Sequence, residues 1–229
     1  APADYKGQGF LGWDPDNTRG GQTDPGALIS DLGNMVVGVD QVGCGYEMQL
    51  EAALRFLADP DPYDSLSVDT AKNRLVEEGT DMVVLQQRKD FLRPDSLLAV
   101  LILSDENDCS IKEEGQFYFA AQQKSGNGSP FHLPAPRAIC KTSPGDMCCF
   151  SCGQIGPVDG NGDPLCAADP TCKTAGGATV YLDDTSDNIN LRCFDQKRRF
   201  GIDFLYPIER YVNALSGATV PDRSGQLVP

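Results

Sequence analysis

The sequence of 229 residues is poor in histidine, in basic residues and in long apolar runs. Its longest apolar run, Leu97–Leu103, is far shorter than the ~20 residues that span a bilayer, so we expect no transmembrane segment. Lysine and arginine number 19 against 33 acidic residues, which gives a formal net charge of −14. Because such a surface repels phosphate backbones and anionic headgroups, binding to nucleic acid or to a membrane surface is not expected.

Catalytic motifs are also absent. The chain contains no G-x-S-x-G and no H-E-x-x-H sequence. Its one histidine, His132, lies between Phe131 and Leu133 in a proline-rich stretch and is interpreted as a packed loop residue rather than a base. An aspartate or glutamate is able to act as a base, but nothing in the sequence specifies a reaction. We therefore expect the protein not to be an enzyme, with metal-assisted hydrolysis as the least favoured function.

Cysteine, in contrast, is abundant. The nine cysteines are typical of a disulfide framework and an oxidising compartment, so the protein is expected to be secreted, periplasmic or at the cell surface. A zinc site is the competing explanation, but the C-x-x-C at Cys149–Cys152 is followed by no second C-x-x-C and no correctly spaced histidine. The disulfide candidates are Cys44, Cys109, Cys140, Cys148, Cys149, Cys152, Cys166, Cys172 and Cys193.

Two features of the cysteines constrain their pairing. Cys148 and Cys149 are adjacent, too close to bond comfortably with each other, so each is expected to pair elsewhere. Because nine is an odd number, one cysteine must be free or bonded to a segment outside this chain.

Helices are predicted from caps and apolar periodicity. Asp24 and Pro25 suit a helix N-terminus, and an apolar face then continues to Val39. Further helices are predicted over Tyr46–Leu57, Ser67–Glu78, 81–92 and from Pro207 to near Gly217. Before the first of these, the oxygens of Asp14–Thr18 resemble a calcium loop, but no distal acidic residue follows, so an ordinary turn is favoured.

The apolar run Leu97–Leu103 predicts a strand covered on both faces, as in the centre of a parallel sheet. It ends directly at an acidic cluster of Asp105, Glu106 and Asp108. In open α/β sheets, ligands bind beyond the carboxyl ends of the strands, and carboxylates are ligands for Ca²⁺ or Mg²⁺. The alternative is a buried strand followed by a solvated acidic turn. We favour the cation site.

From residue 124 onward glycine, proline, serine, aspartate and cysteine dominate, and a loop of this length requires disulfides to hold it. Within it, Asp159, Asn161 and Asp163 alternate with glycines and form a possible calcium loop. A plain Asx/Gly turn explains the same residues equally well.

Several segments together resemble the von Willebrand factor A-like domains of bacterial surface and secreted proteins, especially the cysteine-rich type of myxobacteria. They are Gly43–Glu47, Leu50–Leu54, Phe91–Asp95 and Ser104–Ser110. The resemblance covers roughly Leu28 to Leu215. It implies one α/β domain over residues 1–229 with a Rossmann-like, doubly wound sheet, and a cysteine-rich, Gly/Pro-rich insertion at 124–190.

Such domains carry a metal site built from three loops. Asp105 matches the aspartate of the third loop, and Glu47 replaces the threonine expected in the second. The first motif, D-x-S-x-S, is absent: either its strand lies in an N-terminal part that this chain lacks, or a separate piece supplies that strand, or the site is degenerate. The resemblance also suggests that Cys44 and Cys109 form a disulfide that joins two of these loops.

The function implied is an extracellular or envelope-associated adhesion module that binds a protein in a divalent-cation-dependent manner. Ca²⁺ or Mg²⁺ would be held by Asp105 and Glu47, with Glu106 and Asp108 as further candidates. The protein partner would supply the missing strand or a disulfide, since a sheet that lacks a strand exposes unpaired edges. The alternative is a structural surface, matrix or assembly protein whose metal site is degenerate.

Overall fold

The computed structural model describes residues 9–39, 46–71, 74–112 and 120–229, apart from the side chain of Arg74. In chain order the elements are α1 (Pro25–Val39), α2 (Gln49–Leu57), β1 (Ser65–Asp69), β2 (Arg74–Glu78), α3 (Met82–Phe91), α4 (Gln196–Phe200), α5 (Ile208–Ser216), β3 (Val220–Pro221) and β4 (Leu227–Val228). Short 3-10 helices lie at Ala138–Lys141, Pro170–Cys172 and Ile189–Leu191. Within these ranges no helix combines the length and the apolar character needed to cross a membrane.

The helices with strong caps form where the sequence predicts them. Asp24 accepts a hydrogen bond from Ala27 N at 2.7 Å at the start of α1, and Asp81 caps α3 through the amides of Val83 and Val84. α2 and α5 also lie within the predicted ranges. None of the residues of α1 is buried, and Ile29, Val36 and Val39 are exposed. α3 likewise has no buried residue.

The predicted helix over Ser67–Glu78 is wrong. β1 and β2 form an antiparallel hairpin instead, in which Ser65 pairs with Glu78 and Asp69 with Arg74. Polar and apolar residues alternate along Ser65–Asp69 with the period of a strand, a signal that outweighs the helical spacing. Gly79, expected to stop that helix, follows β2 with a φ of +69°, a conformation that favours glycine.

The prediction of a buried strand at Leu97–Leu103 is also wrong. The segment is neither helix nor strand, and its side chains face solvent: Leu97 is 94 % exposed, Leu101 84 % and Leu103 86 %. Residues 97–103 make no backbone hydrogen bond with the rest of the described chain. A run of this composition forms a stable strand only beside another strand, and no neighbour is present among the described residues.

The sheets of the described residues are two antiparallel pairs, β1–β2 and β3–β4. These pairs do not form the doubly wound sheet that the resemblance implies. The von Willebrand factor A-like fold therefore stays a prediction.

The core is formed by residues between positions 109 and 204. It consists of Cys109, Ile111, Ala120, Leu133, Phe200 and Phe204. Leu133 belongs to the stretch predicted as an insertion, and it packs in the same cluster as Ile111 and Phe200, which flank that stretch. The cysteine-rich stretch therefore contributes to the core rather than lying outside it.

Four disulfides cross-link the same part of the chain: Cys109–Cys193, Cys140–Cys149, Cys148–Cys166 and Cys152–Cys172. The expectation that the adjacent cysteines pair elsewhere is confirmed. The pairing of Cys109 with Cys44 is wrong, because Cys109 lies in the core with its Cα 5.3 Å from that of Cys193. Eight of the nine cysteines pair among themselves, and Cys44 is outside the described residues.

A buried ion pair links the insertion to the chain on either side. Arg192 is 1 % exposed, and its guanidinium donates to both carboxylate oxygens of Asp187 at 2.8 Å. The same guanidinium donates to the carbonyl oxygens of Ala120 and Gln122, and Asp187 accepts from Leu133 N at 2.8 Å. Nearly every polar atom of this buried pair is therefore hydrogen-bonded, as a buried charge requires.

Arginines also tie the N-terminal helices and hairpins together. Arg88 of α3 donates to the carbonyl oxygens of Arg55 and Phe56 at the C-terminal end of α2, where helix carbonyls lack partners. Arg223, between β3 and β4, donates to the carbonyl oxygens of Asp61 and Gly79. These contacts connect the last hairpin to the segments on either side of β1 and β2.

Candidate functional site

Two segments distant in sequence, 46–51 and 104–110, lie against each other. Cys109 N donates to Glu47 O at 2.7 Å, Leu50 N donates to Asp108 Oδ1 at 2.9 Å, and Glu51 N donates to Ser110 Oγ at 3.1 Å. The loop that precedes α2 is therefore joined to the acidic segment that follows Leu97–Leu103. The resemblance to von Willebrand factor A-like domains predicts that the same two segments form loops of a metal site.

Asp108 holds the start of α2. Its Oδ1 accepts from Leu50 N and from Ser110 Oγ, and its Oδ2 accepts from Ser110 N at 3.0 Å. The first amides of a helix lack partners within the helix and carry partial positive charge, so a carboxylate is favoured there. Both oxygens of this candidate ligand thus accept hydrogen bonds, and Oδ1 joins the two segments through Leu50 N.

Glu47 lies beside the start of the acidic segment. Gln49 Nε2 donates to Glu47 Oε2 at 3.0 Å and to Ser104 Oγ at 2.7 Å, and Ser104 Oγ is 3.5 Å from Glu47 Oε2. Asp105 and Glu106 follow at once and are exposed. Their carboxylates have no hydrogen-bond or ion-pair partner among the described residues. Tyr46, Asp105, Asn107 and Phe194 are among the residues that line a surface depression of about 490 Å³ here.

The side-chain oxygens of this region are of the kind that a hard cation prefers, but they are too few to complete its coordination shell. Carboxylate and hydroxyl oxygens of Glu47, Ser104 and Asp105 are ligands that Ca²⁺ and Mg²⁺ prefer, yet these ions take six or more oxygens. The described part of the chain contains no group of three or more histidine, cysteine, aspartate or glutamate side chains arranged to hold a metal ion. Water or another polypeptide would have to supply the remaining ligands.

The other predicted calcium loop is folded around Asp159. Asp159 Oδ1 accepts from Asn161 N at 2.8 Å and from Asp163 N at 2.9 Å. These amide hydrogen bonds, that of Asp163 first, lower the pKa of Asp159. The arrangement has the hydrogen bonds of an Asx turn, which is the alternative that the sequence left open.

Asp14 closes a turn of the same kind. Its carboxylate accepts from the amides of Thr18, Arg19 and Gly21, and these bonds, that of Arg19 first, lower the pKa of Asp14 to about 2. The expectation of an ordinary turn at this position is confirmed.

Sequence reasoning missed the ion pairs that fix α2. Glu51 is 5 % exposed and accepts from Arg210 of α5 through both oxygens, at 2.8 and 3.1 Å, and from Arg55 at 3.1 Å. The spacing of Glu51 and Arg55 is that of a helical i, i+4 pair and gave a signal, whereas Arg210 lies 159 residues away and gave none. Burial raises the pKa of the neighbouring Tyr211 hydroxyl.

His132 lies in a loop, with its side chain 21 % exposed. Its Nε2 is 3.3 Å from Asp184 Oδ1 and its Nδ1 is 3.6 Å from Asp187 Oδ2. The imidazole thus packs beside the buried ion pair, as a structural loop residue does.

No family model matches the chain, and neither a curated protein nor a solved structure matches it. The likeness to von Willebrand factor A-like domains therefore rests on the quoted sequence segments alone.

Proposed function

We propose that this chain is an extracellular or envelope-associated protein-binding module, and that its partner pairs with Leu97–Leu103. The observation that carries the proposal is the exposure of this run of seven apolar residues, which leads directly into Ser104 and the acidic segment. The four disulfides support the extracellular location, because such bonds persist in oxidising compartments. The extracellular medium, the periplasm and the cell surface are all oxidising environments of this kind.

The chemistry of the segment favours a strand as its partner. Contiguous exposed apolar surface marks sites of protein interaction. The backbone groups of residues 97–103 have no backbone partners among the described residues, so an added strand is able to hydrogen-bond with them. Burial of Leu97, Leu101 and Leu103 would favour the complex by on the order of 5 kcal/mol before the costs of association.

The partner is expected to complete a cation site at the end of this segment. Asp105 has a carboxylate without a partner among the described residues, and it directly follows Ser104, whose Oγ is 3.5 Å from Glu47 Oε2. Ca²⁺ or Mg²⁺ held by these oxygens keeps coordination positions that a partner carboxylate is able to take. Binding of the protein partner then depends on the divalent cation.

The second candidate is a structural surface, matrix or assembly protein without a working cation site. It is favoured by the hydrogen bonds that both Asp108 oxygens already accept, Oδ1 from Leu50 N and Oδ2 from Ser110 N. The lack of a three-residue metal group in the described ranges also favours it. This candidate keeps the strand-binding segment and loses only the cation dependence.

Calorimetric titration with CaCl₂ and MgCl₂ separates the two candidates. We expect wild-type protein to bind at least one cation, and Asp105→Asn or Glu47→Gln to weaken that binding about tenfold or more, because a carboxylate ligand is lost. Asp95→Asn, which removes an equal charge from an exposed position outside these loops, is the control and leaves the isotherm unchanged. Identical isotherms for wild type and both site variants would reject the cation site.

Photo-crosslinking tests the strand-binding segment. A photoreactive amino acid at position 101 is expected to give a discrete adduct on the producing cells, while the same group at Ile155, which is 96 % exposed, gives none. Leu97→Asp and Leu103→Asp abolish the adduct, because a charged side chain disfavours burial in an apolar interface. Equal patterns at both positions, or an adduct that survives both substitutions, would contradict the proposal.

A further inference from the structure

A cavity of about 560 Å³ lies between the loop 10–21 and the C-terminal end of α3, away from the acidic segment. The aromatic residues that line it are Phe10, Trp13 and Phe91. The rings of Phe10 and Phe91 meet edge to face with their centroids 5.5 Å apart, and Trp13 is 49 % exposed. The charged residues that line it are Asp14, Arg19, Asp90 and Arg93.

The two arginines of this cavity differ from the others in the protein. The sequence has eleven arginines, and the side chain of Arg74 is outside the description. Eight of the other ten have a guanidinium that makes a hydrogen bond or an ion pair: Arg55, Arg88, Arg137, Arg192, Arg198, Arg199, Arg210 and Arg223. Arg19 and Arg93 have no side-chain partner among the described residues, although the chain carries a net charge of −14.

The aspartates of the cavity do not neutralise these arginines. The Asp14 carboxylate accepts hydrogen bonds from backbone amides of its own loop. Asp90 Oδ1 accepts a hydrogen bond from Gln86 Nε2 at 2.9 Å. The loop that carries Arg19 is also closely packed. A Cβ on Gly21 would lie only 2.7 Å from Gly12 O, so this position requires glycine.

We propose that this cavity binds an acidic peptide segment in which a carboxylate side chain neighbours an aromatic one. Guanidinium groups pair with carboxylates through two parallel hydrogen bonds, and aromatic rings prefer the edges and faces of other rings. The volume suits a few side chains. None of the described residues that line the cavity is serine, threonine or asparagine, which disfavours a sugar acid with many hydroxyl groups. The site requires neither the cation nor the Leu97–Leu103 segment.

Trp13 is the only tryptophan in the chain, so selectively excited fluorescence reports on this cavity directly. The probe is the blocked dipeptide acetyl-Phe-Glu-amide. We expect saturable binding with a blue shift of the Trp13 emission, because the indole leaves water. Acetyl-Phe-Gln-amide and acetyl-Ala-Glu-amide are expected to bind about tenfold more weakly, since each lacks one of the two recognised groups.

Arg19→Gln and Arg93→Gln are each expected to raise the dissociation constant of acetyl-Phe-Glu-amide about tenfold. Both side chains are exposed and make no described contact, so folding is unaffected. Arg198→Gln, an exposed arginine outside the cavity, leaves the constant unchanged. Equal binding of the Glu and Gln probes, or equal effects of all three substitutions, would overturn the proposal. Tighter binding of free 3-phenylpropionate than of the dipeptide would overturn the assignment to a peptide.

Discussion

Replacing Arg192 with methionine is expected to lower the free energy of unfolding by about 3–5 kcal/mol, because the carboxylate of Asp187 is then buried without its cation. Arg192 and Asp187 are both almost fully buried, and the guanidinium also satisfies the carbonyl oxygens of Ala120 and Gln122. Urea denaturation followed by circular dichroism, with the disulfides intact, measures the loss.

Arg198→Met is the matched control. Arg198 is an exposed arginine with an i, i+3 partner in Asp195, and pairs of this kind contribute little. If Arg192→Met and Arg198→Met differ by less than about 1 kcal/mol, the buried pair does not stabilise the fold as its geometry indicates. The double variant Arg192→Met, Asp187→Leu is expected to recover part of the loss, because the uncompensated charge is removed with its partner.

Removing the Cys109–Cys193 disulfide by double serine substitution is expected to cost about 4–5 kcal/mol, because the bond closes the longest loop of the four, 84 residues. Cys109 is also a member of the core and directly follows Asp108, which holds the start of α2. The loss is therefore expected to reach the candidate site and to weaken cation binding in the same variant.

The Cys152–Cys172 bond is the control for this prediction, since it closes a loop of only 20 residues and its removal is expected to cost about 3 kcal/mol. All proteins compared carry Cys44→Ser, so that no free thiol is available for disulfide exchange. Urea denaturation gives the order of stability. A larger loss from Cys152→Ser, Cys172→Ser than from Cys109→Ser, Cys193→Ser would contradict the reasoning from loop length.

The parts of the fold that could be predicted from sequence are those determined within a few residues. Asp24 is predicted to cap a helix, and its side chain binds the amide three positions ahead. The separate pairing of Cys148 and Cys149 follows from the geometry of adjacent residues. Each of these predictions depends on a short stretch of chain and on nothing distant.

The wrong predictions concern segments whose structure depends on neighbours. Leu97–Leu103 has the composition of a central strand, but composition does not supply the strands on either side. The predicted helix over Ser67–Glu78 ends at Gly79, but the alternation of Ser65–Asp69 is satisfied by pairing with β2. In the second case the decisive signal was in the sequence, and in the first it was not.

In the candidate site, too, local features could be predicted from the sequence and contacts between distant residues could not. The sequence brought forward Glu47 and Asp105, and the structure places their segments side by side through Gln49 and Ser104. The sequence does not predict that Asp108 binds the N-terminal end of α2, because this contact joins residues 58 positions apart. Ion pairs between distant residues, such as Glu51 with Arg210, leave no pattern in a single sequence.

All four disulfides lie between Cys109 and Cys193, and this placement governs how the chain would respond to tension. A force applied to the two ends passes through the Cys109–Cys193 bond, so the 84-residue loop adds nothing to the contour length while that bond is intact. Segments before Cys109 are held to the rest by contacts such as those of Arg223, which yield first. Reduction of the one bond would release about 190 Å of additional chain, because the Cys140–Cys149 and Cys152–Cys172 bonds still bridge parts of the loop.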